Sequence, residues 1–401
     1  MKRNMMKYIR TFLIIITFFS LGMIITYLIP NRCLNDHYHK SINQIEKEDT
    51  YASFLFGSDA SVMDNFTDKM MIDTAMISEN YHDLFTAAFD NNGYPRYWNG
   101  YLMTLRPALT QFSYQQIRYI NMIVLLLLFC FSFSDIRSEF GSVMAFGFAV
   151  SVTMCFLVFI AESLQYFSVF TILFFEIIFI CRSAKREMGI DPGIPLFIAG
   201  MAVNFFDLLT APLITLGIPL ILILSRKAAD KDSYHFGEMI KDMTLLSVSW
   251  GAGYALCWAA KWAAGSLILG NNIFSDALNT AKFRIEGNEA YPVDRIMMLK
   301  LNANTYYFAK GHKPFALIAF SILILLADLF CSHKKIRTGI SAATLLIGVL
   351  PYFWYLIFSN HSQLHYFYTY RIQSVTLFAV FAAISNAHET DQKWLAEKPA
   401  D

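Results

Sequence analysis

Residues 11–30 read TFLIIITFFSLGMIITYLIP and follow Lys2, Arg3, Lys7 and Arg10. A helix that crosses a bilayer needs about 20 mostly apolar residues, because hydrocarbon offers its backbone no hydrogen-bond partner. The charged start resembles that of a signal peptide, but the apolar run is long and no small-x-small cleavage site follows it. The stretch reads as a retained anchor. Nine further apolar stretches follow at 115–133, 141–160, 163–181, 193–209, 211–225, 243–268, 314–331, 339–358 and 371–387. Together they predict an all-α polytopic integral membrane protein with about ten transmembrane helices.

Composition points the same way. The 401 residues are 56% hydrophobic and 16% charged, with 37 Phe, 21 Tyr and 18 Met. A soluble domain is about half apolar and about a quarter charged. Lys plus Arg number 32 against 31 Asp plus Glu, a net charge of +1. This balance excludes a disordered chain and a nucleic-acid binder with a basic footprint. Cys33 is the one cysteine in an outer segment, so no disulfide framework is implied.

Basic residues cluster in alternate short loops: Arg182, Lys185 and Arg186; Arg226, Lys227, Lys231 and Lys241; Lys334, Lys335 and Arg337. The intervening loops near 162, 210 and 360 hold almost none. The positive-inside rule then places the basic loops and both termini in the cytoplasm of a plasma-membrane protein. The organisation is an anchor over 1–30, a first extracytoplasmic loop over 31–114, and transmembrane helices 2–7 over 115–268. A second extracytoplasmic loop over 269–313, helices 8–10 over 314–387 and a cytoplasmic tail over 388–401 complete it. The text NFFDLLTAPLITLGIPL (204–220), with Asp207 and two prolines, fits two spans meeting at an outer turn or a broken re-entrant pair.

The first outer loop contains SDASVMDNFTDKMMIDTAMI (58–77). Met63, Phe66, Met70 and Ile77 form one apolar stripe at helical spacing, predicting an interfacial helix. Asp64 and Asp68, four apart, share the opposite face, and Asp59 sits near the helix start. One of these carboxylates, with Asp59 and Asp64 foremost, is a candidate general base or divalent-cation ligand. They read equally as a solvated face and a helix-dipole contact. The loop ends YPRYWNGYLMTLRPALTQFSYQQIRYIN (94–121). Tyr97 and Trp98 read as an aromatic belt or as surfaces for a sugar ring, and Arg96, Arg106 and Arg118 as cationic forks at head-group depth.

The last outer turn, PYFWYLIFSNHSQLHYFYTYR (351–371), packs Asn360, His361, Ser362, Gln363, His365 and Arg371 between apolar spans. His361 and His365 have zinc-ligand spacing, but no acidic residue in this stretch completes a site, so no metal site is assigned. A donor-phosphate site fits better, with Arg371 as fixed charge and a histidine as donor. Lys261, in ALCWAAKWAAG (255–265), is the one Lys or Arg deep in an apolar run. It reads as a snorkelling residue, half of a buried ion pair, or a phosphate contact. Glu162, Glu176 and Asp207 are candidate partners or acceptor-site groups.

One span, a long acidic outer loop with an interfacial helix, many further spans and polar outer turns resemble the GT-C superfamily of polytopic glycosyltransferases. The resemblance rests on GSDASVMDNFTDKMM (57–71), YPRYWNGYLMTLRP (94–107), NFFDLLTAPLITLGIPL and SNHSQLHYFYTYR (359–371). It implies transfer of a sugar from a polyprenyl-phosphate-linked donor to an envelope glycan or lipid acceptor, with a first-loop acid as base. Here that base would be Asp59 or Asp64. The implied donor-phosphate ligands are Arg96, Arg106, Lys261, His361, His365 and Arg371. The implied sugar or acceptor contacts are Tyr97, Trp98, Asp207 and Asn360. The loop lacks an Asp-x-Asp, so no metal dependence follows. Two rival classes are a transporter or flippase, which would use mid-span groups such as Lys261 and Glu176, and a non-catalytic assembly or sensor protein.

Overall fold

The computed structural model describes residues 2–54, 58–78, 81, 83–186, 188–231, 233–308, 314–331 and 337–387. The basic residues Lys334 and Lys335, the tail from 388 and part of the FLFGSD run lie outside these.

Helix α1 (Lys2–Tyr27) is the anchor. The segment over 31–114, expected outside the membrane and termed the first outer segment, contains four short helices: α2 (Asn35–Ile45), α3 (Asn65–Thr74), α4 (Leu84–Asp90) and α5 (Leu102–Leu109). Next come α6 (Tyr114–Phe140), α7 (Ser142–Thr153), α8 (Leu157–Ala161) and α9 (Leu164–Lys185). The stretch 141–160 breaks at Phe156, whose φ of 58° ends one helix and starts the next. Then follow α10 (Gly193–Phe206), α11 (Ile214–Asp230) and the 34-residue α12 (Phe236–Leu269). The second outer segment holds α13 (Ile273–Glu286), a two-stranded hairpin of β1 (Gly287–Asn288) and β2 (Tyr291–Pro292), and α14 (Arg295–Tyr307). The chain closes with α15 (Pro314–Cys331), α16 (Thr338–Ile347), α17 (Leu350–Ile357), α18 (Ser359–Leu364), α19 (Tyr366–Thr369) and α20 (Ser374–Ala387).

The protein is therefore all-α and membrane-like. Among the described residues, five helical stretches are long and apolar enough to cross a membrane: Met5–Tyr27, Tyr114–Phe140, Leu164–Ser183, Thr338–Ile357 and Tyr366–Ala387. Shorter apolar helices cover Ser142–Thr153, Gly193–Phe206 and Ile318–Ala327. Without a hydrophobic drive between helices in lipid, close packing relies on small residues that let backbones approach. At the α10–α12 crossing a Cβ on Gly200 would collide with the Trp250 carbonyl, and one on Gly253 with the Phe197 carbonyl. Two glycines thus set that crossing, one from each helix.

The 58–77 stretch departs from the single interfacial helix expected of it. It divides into a short 3-10 turn at Asp59–Ser61 and α3, whose N-cap is Asp64. The Asp64 carboxylate accepts from the Thr67 backbone N–H at 3.1 Å and from its hydroxyl at 2.8 Å. The anticipated apolar stripe is split: Met63 is buried and Phe66 is 62% exposed, while Asn65, Asp68, Met71 and Ile72 of α3 are buried. Asp64 and Asp68 are accordingly not a solvated face.

The reason lies in the unpaired groups at helix ends. The first N–H groups and last carbonyls of every helix lack internal partners. Asp68 supplies acceptors for the start of α9, taking hydrogen bonds from Leu164 N–H (2.9 Å), Gln165 N–H (3.0 Å) and the Ser163 hydroxyl (3.0 Å). Tyr114 donates to the same carboxylate, and Arg118 donates to the Tyr114 hydroxyl at 2.8 Å. Arg118 also grips Glu48 through two bonds of 2.7 and 2.9 Å. This network fastens the first outer segment to α6 and α9.

Candidate functional site

Each buried cation must be stabilised somewhere, and its partner decides whether it is free to bind a ligand. Helix C-termini carry partial negative charge and unpaired carbonyls, so they attract cations. Arg106 is fully buried and donates to Thr26 O and Ile29 O at the end of α1 and to Ala75 O at the end of α3. Lys261 donates to Phe89 O in the last turn of α4 at 2.8 Å and lies over the Phe89 and Trp98 rings. It neither snorkels nor pairs with an acid. Arg371 donates to Cys155 O, just past α7, at 3.2 Å and packs on the Tyr166 ring at 4.2 Å. Arg337 likewise donates to Ala228 O in the last turn of α11. These side chains close helix ends, and Arg106, Lys261 and Arg371 are not among the pocket residues described next.

That pocket, of about 440 Å³, is lined by Arg96, Asn279, Thr280, Phe283, Arg284, Asn360, His361, Leu364 and His365. Three distant parts of the chain build it: the end of the first outer segment, α13, and the last outer turn. It lies at the end of the bundle where α12 finishes, opposite the basic cluster at 226–241, across a helix that rises about 50 Å. The Trp262 indole at that end donates to Arg96 O at 3.0 Å, fixing the backbone from which Arg96 projects.

The last turn builds the floor. Its polar residues mostly dock the second outer segment rather than face a ligand. Asn360 donates to Phe283 O at 3.0 Å, Gln363 donates to Pro292 O at 3.0 Å, and Asp294 N–H donates to the Gln363 amide oxygen at 2.7 Å. Asn302 of α14 donates to Ser362 O at 2.9 Å. The Asn360 amide oxygen is fully buried without a hydrogen-bond partner among the described residues.

Two guanidiniums reach the pocket. Arg284 sits 3.4 Å from His361 Nδ1 and 5.7 Å above the Tyr97 ring. His361 Nε2 lies 2.9 Å from Leu209 O. A carbonyl can only accept and a guanidinium can only donate, so His361 is the neutral tautomer with its proton on Nε2. Burial holds its pKa well below the usual histidine range, and the Arg284 charge pushes the same way. Leu209 owes its aim to a φ of 67° in the turn shaped by Asp207, whose carboxylate accepts from Thr210 N–H at 2.8 Å and from the Thr210 hydroxyl. The other guanidinium, Arg96, packs on the Tyr94 ring at 4.2 Å and pairs with Asp276 at 3.0 Å.

His365 differs from His361. Its ring stacks on Tyr368 at 5.1 Å and lies 4.9 Å from the His361 ring, and neither ring nitrogen has a hydrogen-bond partner among the described residues. Burial, followed by the charge of Arg284, pushes its pKa down to about 4.

The remaining expected site residues lie elsewhere. Asp59 is beside the Tyr366 hydroxyl and Asp64 caps α3, and neither lines the pocket. Tyr368 stands between, within electrostatic reach of both Asp64 and Arg284. Burial raises the pKa of Asp64, partly offset by Thr67. Trp98 is packed in the core with its indole donating to Cys257 O at 3.0 Å, whereas Tyr97 lies under Arg284. Arg284 itself escapes sequence reasoning, because α13 reads as an ordinary mixed helix. Its one signal is a basic residue in an outer segment otherwise read only as a long loop.

The described residues contain no group of three or more His, Cys, Asp or Glu able to hold a metal ion. The pocket wall offers two arginines, one of them paired with Asp276, together with amide and hydroxyl groups, a set of donors that could meet an anion. Comparison with family models, curated proteins and solved structures gives no match for this chain.

Proposed function

We propose that this protein is a ten-span plasma-membrane glycosyltransferase, with both termini cytoplasmic, that takes a sugar from a polyprenyl-phosphate-linked donor and passes it to an extracytoplasmic glycan or lipid. The observation that carries this reading is the convergence of Arg284 and Arg96, the latter paired with Asp276, on one pocket where α12 ends. Fixed guanidiniums there would hold the donor phosphate and stabilise the charge that grows on it as the sugar departs. The surrounding apolar helices suit the lipid chain. The base would be one of the two first-loop acids, Asp59 beside the Tyr366 hydroxyl or Asp64 at the start of α3.

The test is binding of farnesyl phosphate and farnesol by the detergent-solubilised full chain. Phosphate-dependent binding should weaken about 10- to 100-fold in Arg284→Gln, the loss of a charge-assisted contact of roughly 1.5–3 kcal/mol. Equal affinity for the alcohol and the phosphate would overturn the assignment. A transport reading draws on one different observation: both carboxylate oxygens of Glu176, buried within α9, lack hydrogen-bond partners among the described residues. Unchanged function in Glu176→Gln would remove it.

A further inference from the structure

The pocket contains one polar ring with no fixed partner, set beside a permanent positive charge. His361 is fully engaged, between Leu209 O and Arg284. His365 is not: its nitrogens are uncommitted among the described residues, and its ring is held by contacts with the Tyr368, His361 and Phe367 rings. The charges on the pocket wall are Arg284 from α13 and Arg96 from the first outer segment. The titratable neighbours are His361 and Tyr368, and no carboxylate lines the wall itself, although Asp276 of α13 pairs with Arg96 at 3.0 Å and offsets its charge. In the empty pocket the Arg284 charge disfavours a second positive charge on His365, while an anion beside Arg284 would reverse that preference.

We propose that His365 takes up a proton when a phosphate group enters this pocket, so that the Arg284 guanidinium and one imidazolium share the anion beside Arg96, which Asp276 already pairs. The inference rests on the phosphate-binding reading above and adds to it a proton carried next to the phosphate oxygens. Arg284 depresses the affinity of His365 for protons. An opposite charge within about 4–6 Å moves a pKa by about 1–3 units in favour of the charged form. The bound phosphate would both offset Arg284 and act directly, bringing His365 from about 4 to roughly 5–7.

The experiment is titration calorimetry of the solubilised full chain with farnesyl phosphate at about pH 6, in buffers of different ionisation heat. Wild type should take up roughly half a proton more per bound ligand than His365→Gln. The ligand's own second ionisation, near 6, is followed separately through its ³¹P shift in each protein and subtracted. If His365→Gln fails to fold, imidazole ¹⁵N shifts of wild type with and without the ligand report the same proton. Binding with equal uptake in both proteins, or an unmoved His365 resonance, would overturn the proton assignment alone. No binding by wild type would overturn the phosphate reading and this inference with it. Inorganic phosphate forms the second arm. Uptake with much weaker affinity supports a lipid-linked ligand, whereas affinity equal to farnesyl phosphate would assign the site to free phosphate and overturn the lipid part.

Discussion

Replacing Arg106 by Met tests whether this buried cation is a helix cap or a ligand contact. The guanidinium serves three carbonyls, Thr26 O, Ile29 O and Ala75 O, at the ends of α1 and α3. Hydrogen bonds from a charged donor are worth about 1.5 kcal/mol each at the low end, so three amount to roughly 4–5 kcal/mol. Removing a desolvated charge that has no acidic partner returns part of this, leaving a net loss of about 3–4 kcal/mol. An unfolding entropy near 2.1 cal/mol/K per residue comes to about 0.8 kcal/mol/K for a chain of this length. Thermal unfolding followed by tryptophan fluorescence should therefore show Tm lowered by about 4–5 °C. Arg106→Lys keeps the charge at the two helix ends, worth about 0.3–1 kcal/mol at each, but reaches fewer carbonyls and should fall about midway. A Met variant with wild-type Tm that has lost farnesyl phosphate binding would refute the capping argument and restore the phosphate role.

Other measurements follow from the same contacts. Burial raises the Asp68 pKa from 3.8 to about 6. Because the native value lies above the unfolded one, the native state binds the extra proton. Stability from this group is greatest below the unfolded pKa and is lost as pH rises through about 6, a change of roughly 3 kcal/mol. Tm measured from about pH 4 to pH 7 should show that decline in wild type and lack it in Asp68→Asn. Lys261→Met leaves Phe89 O unpaired and should cost about 1–3 kcal/mol by thermal unfolding. It should not change farnesyl phosphate affinity, and a large change would return Lys261 to the binding site. Gly253→Ala drives a methyl into the Phe197 carbonyl, an overpacking cost of about 1–3 kcal/mol, read as a lower Tm.

Much of the helical layout is legible in the sequence, because an apolar run as long as a bilayer is thick is seldom found outside one. Five of the ten apolar stretches overlap helical stretches long and apolar enough to cross a membrane, and these and the break near Asp207 follow from residue type alone. The site is only partly legible. Arg96, Asn360, His361 and His365 stand out by their polar character beside apolar spans, and they share one pocket. Arg106, Lys261 and Arg371 carry the same signal but close helix ends. Sequence spacing cannot tell these fates apart, because a cap contributed by a distant segment depends on tertiary placement. Arg106 lies 80 residues from Thr26, and Arg371 lies 216 from Cys155. The same limit applies to α3. Its periodicity advertises a greasy face, yet the carboxylate of Asp68 turns inward because α9 needs acceptors.

The Asp68 clasp also constrains the order in which the chain can be assembled. Three of its four donors belong to residues 163–165, nearly a hundred positions downstream, and the fourth is the Tyr114 hydroxyl. During synthesis, the first outer segment must wait with that carboxylate short of three donors until α6, α7 and α8 have been laid down and α9 has begun. Burying that charge earlier would be costly. The segment that delivers Arg96 is thus locked late, and the pocket waits longer still, for α13 and the last outer turn. A ribosome stalled before residue 163 should leave residues 35–110 open to protease, and one stalled beyond α9 should leave them protected.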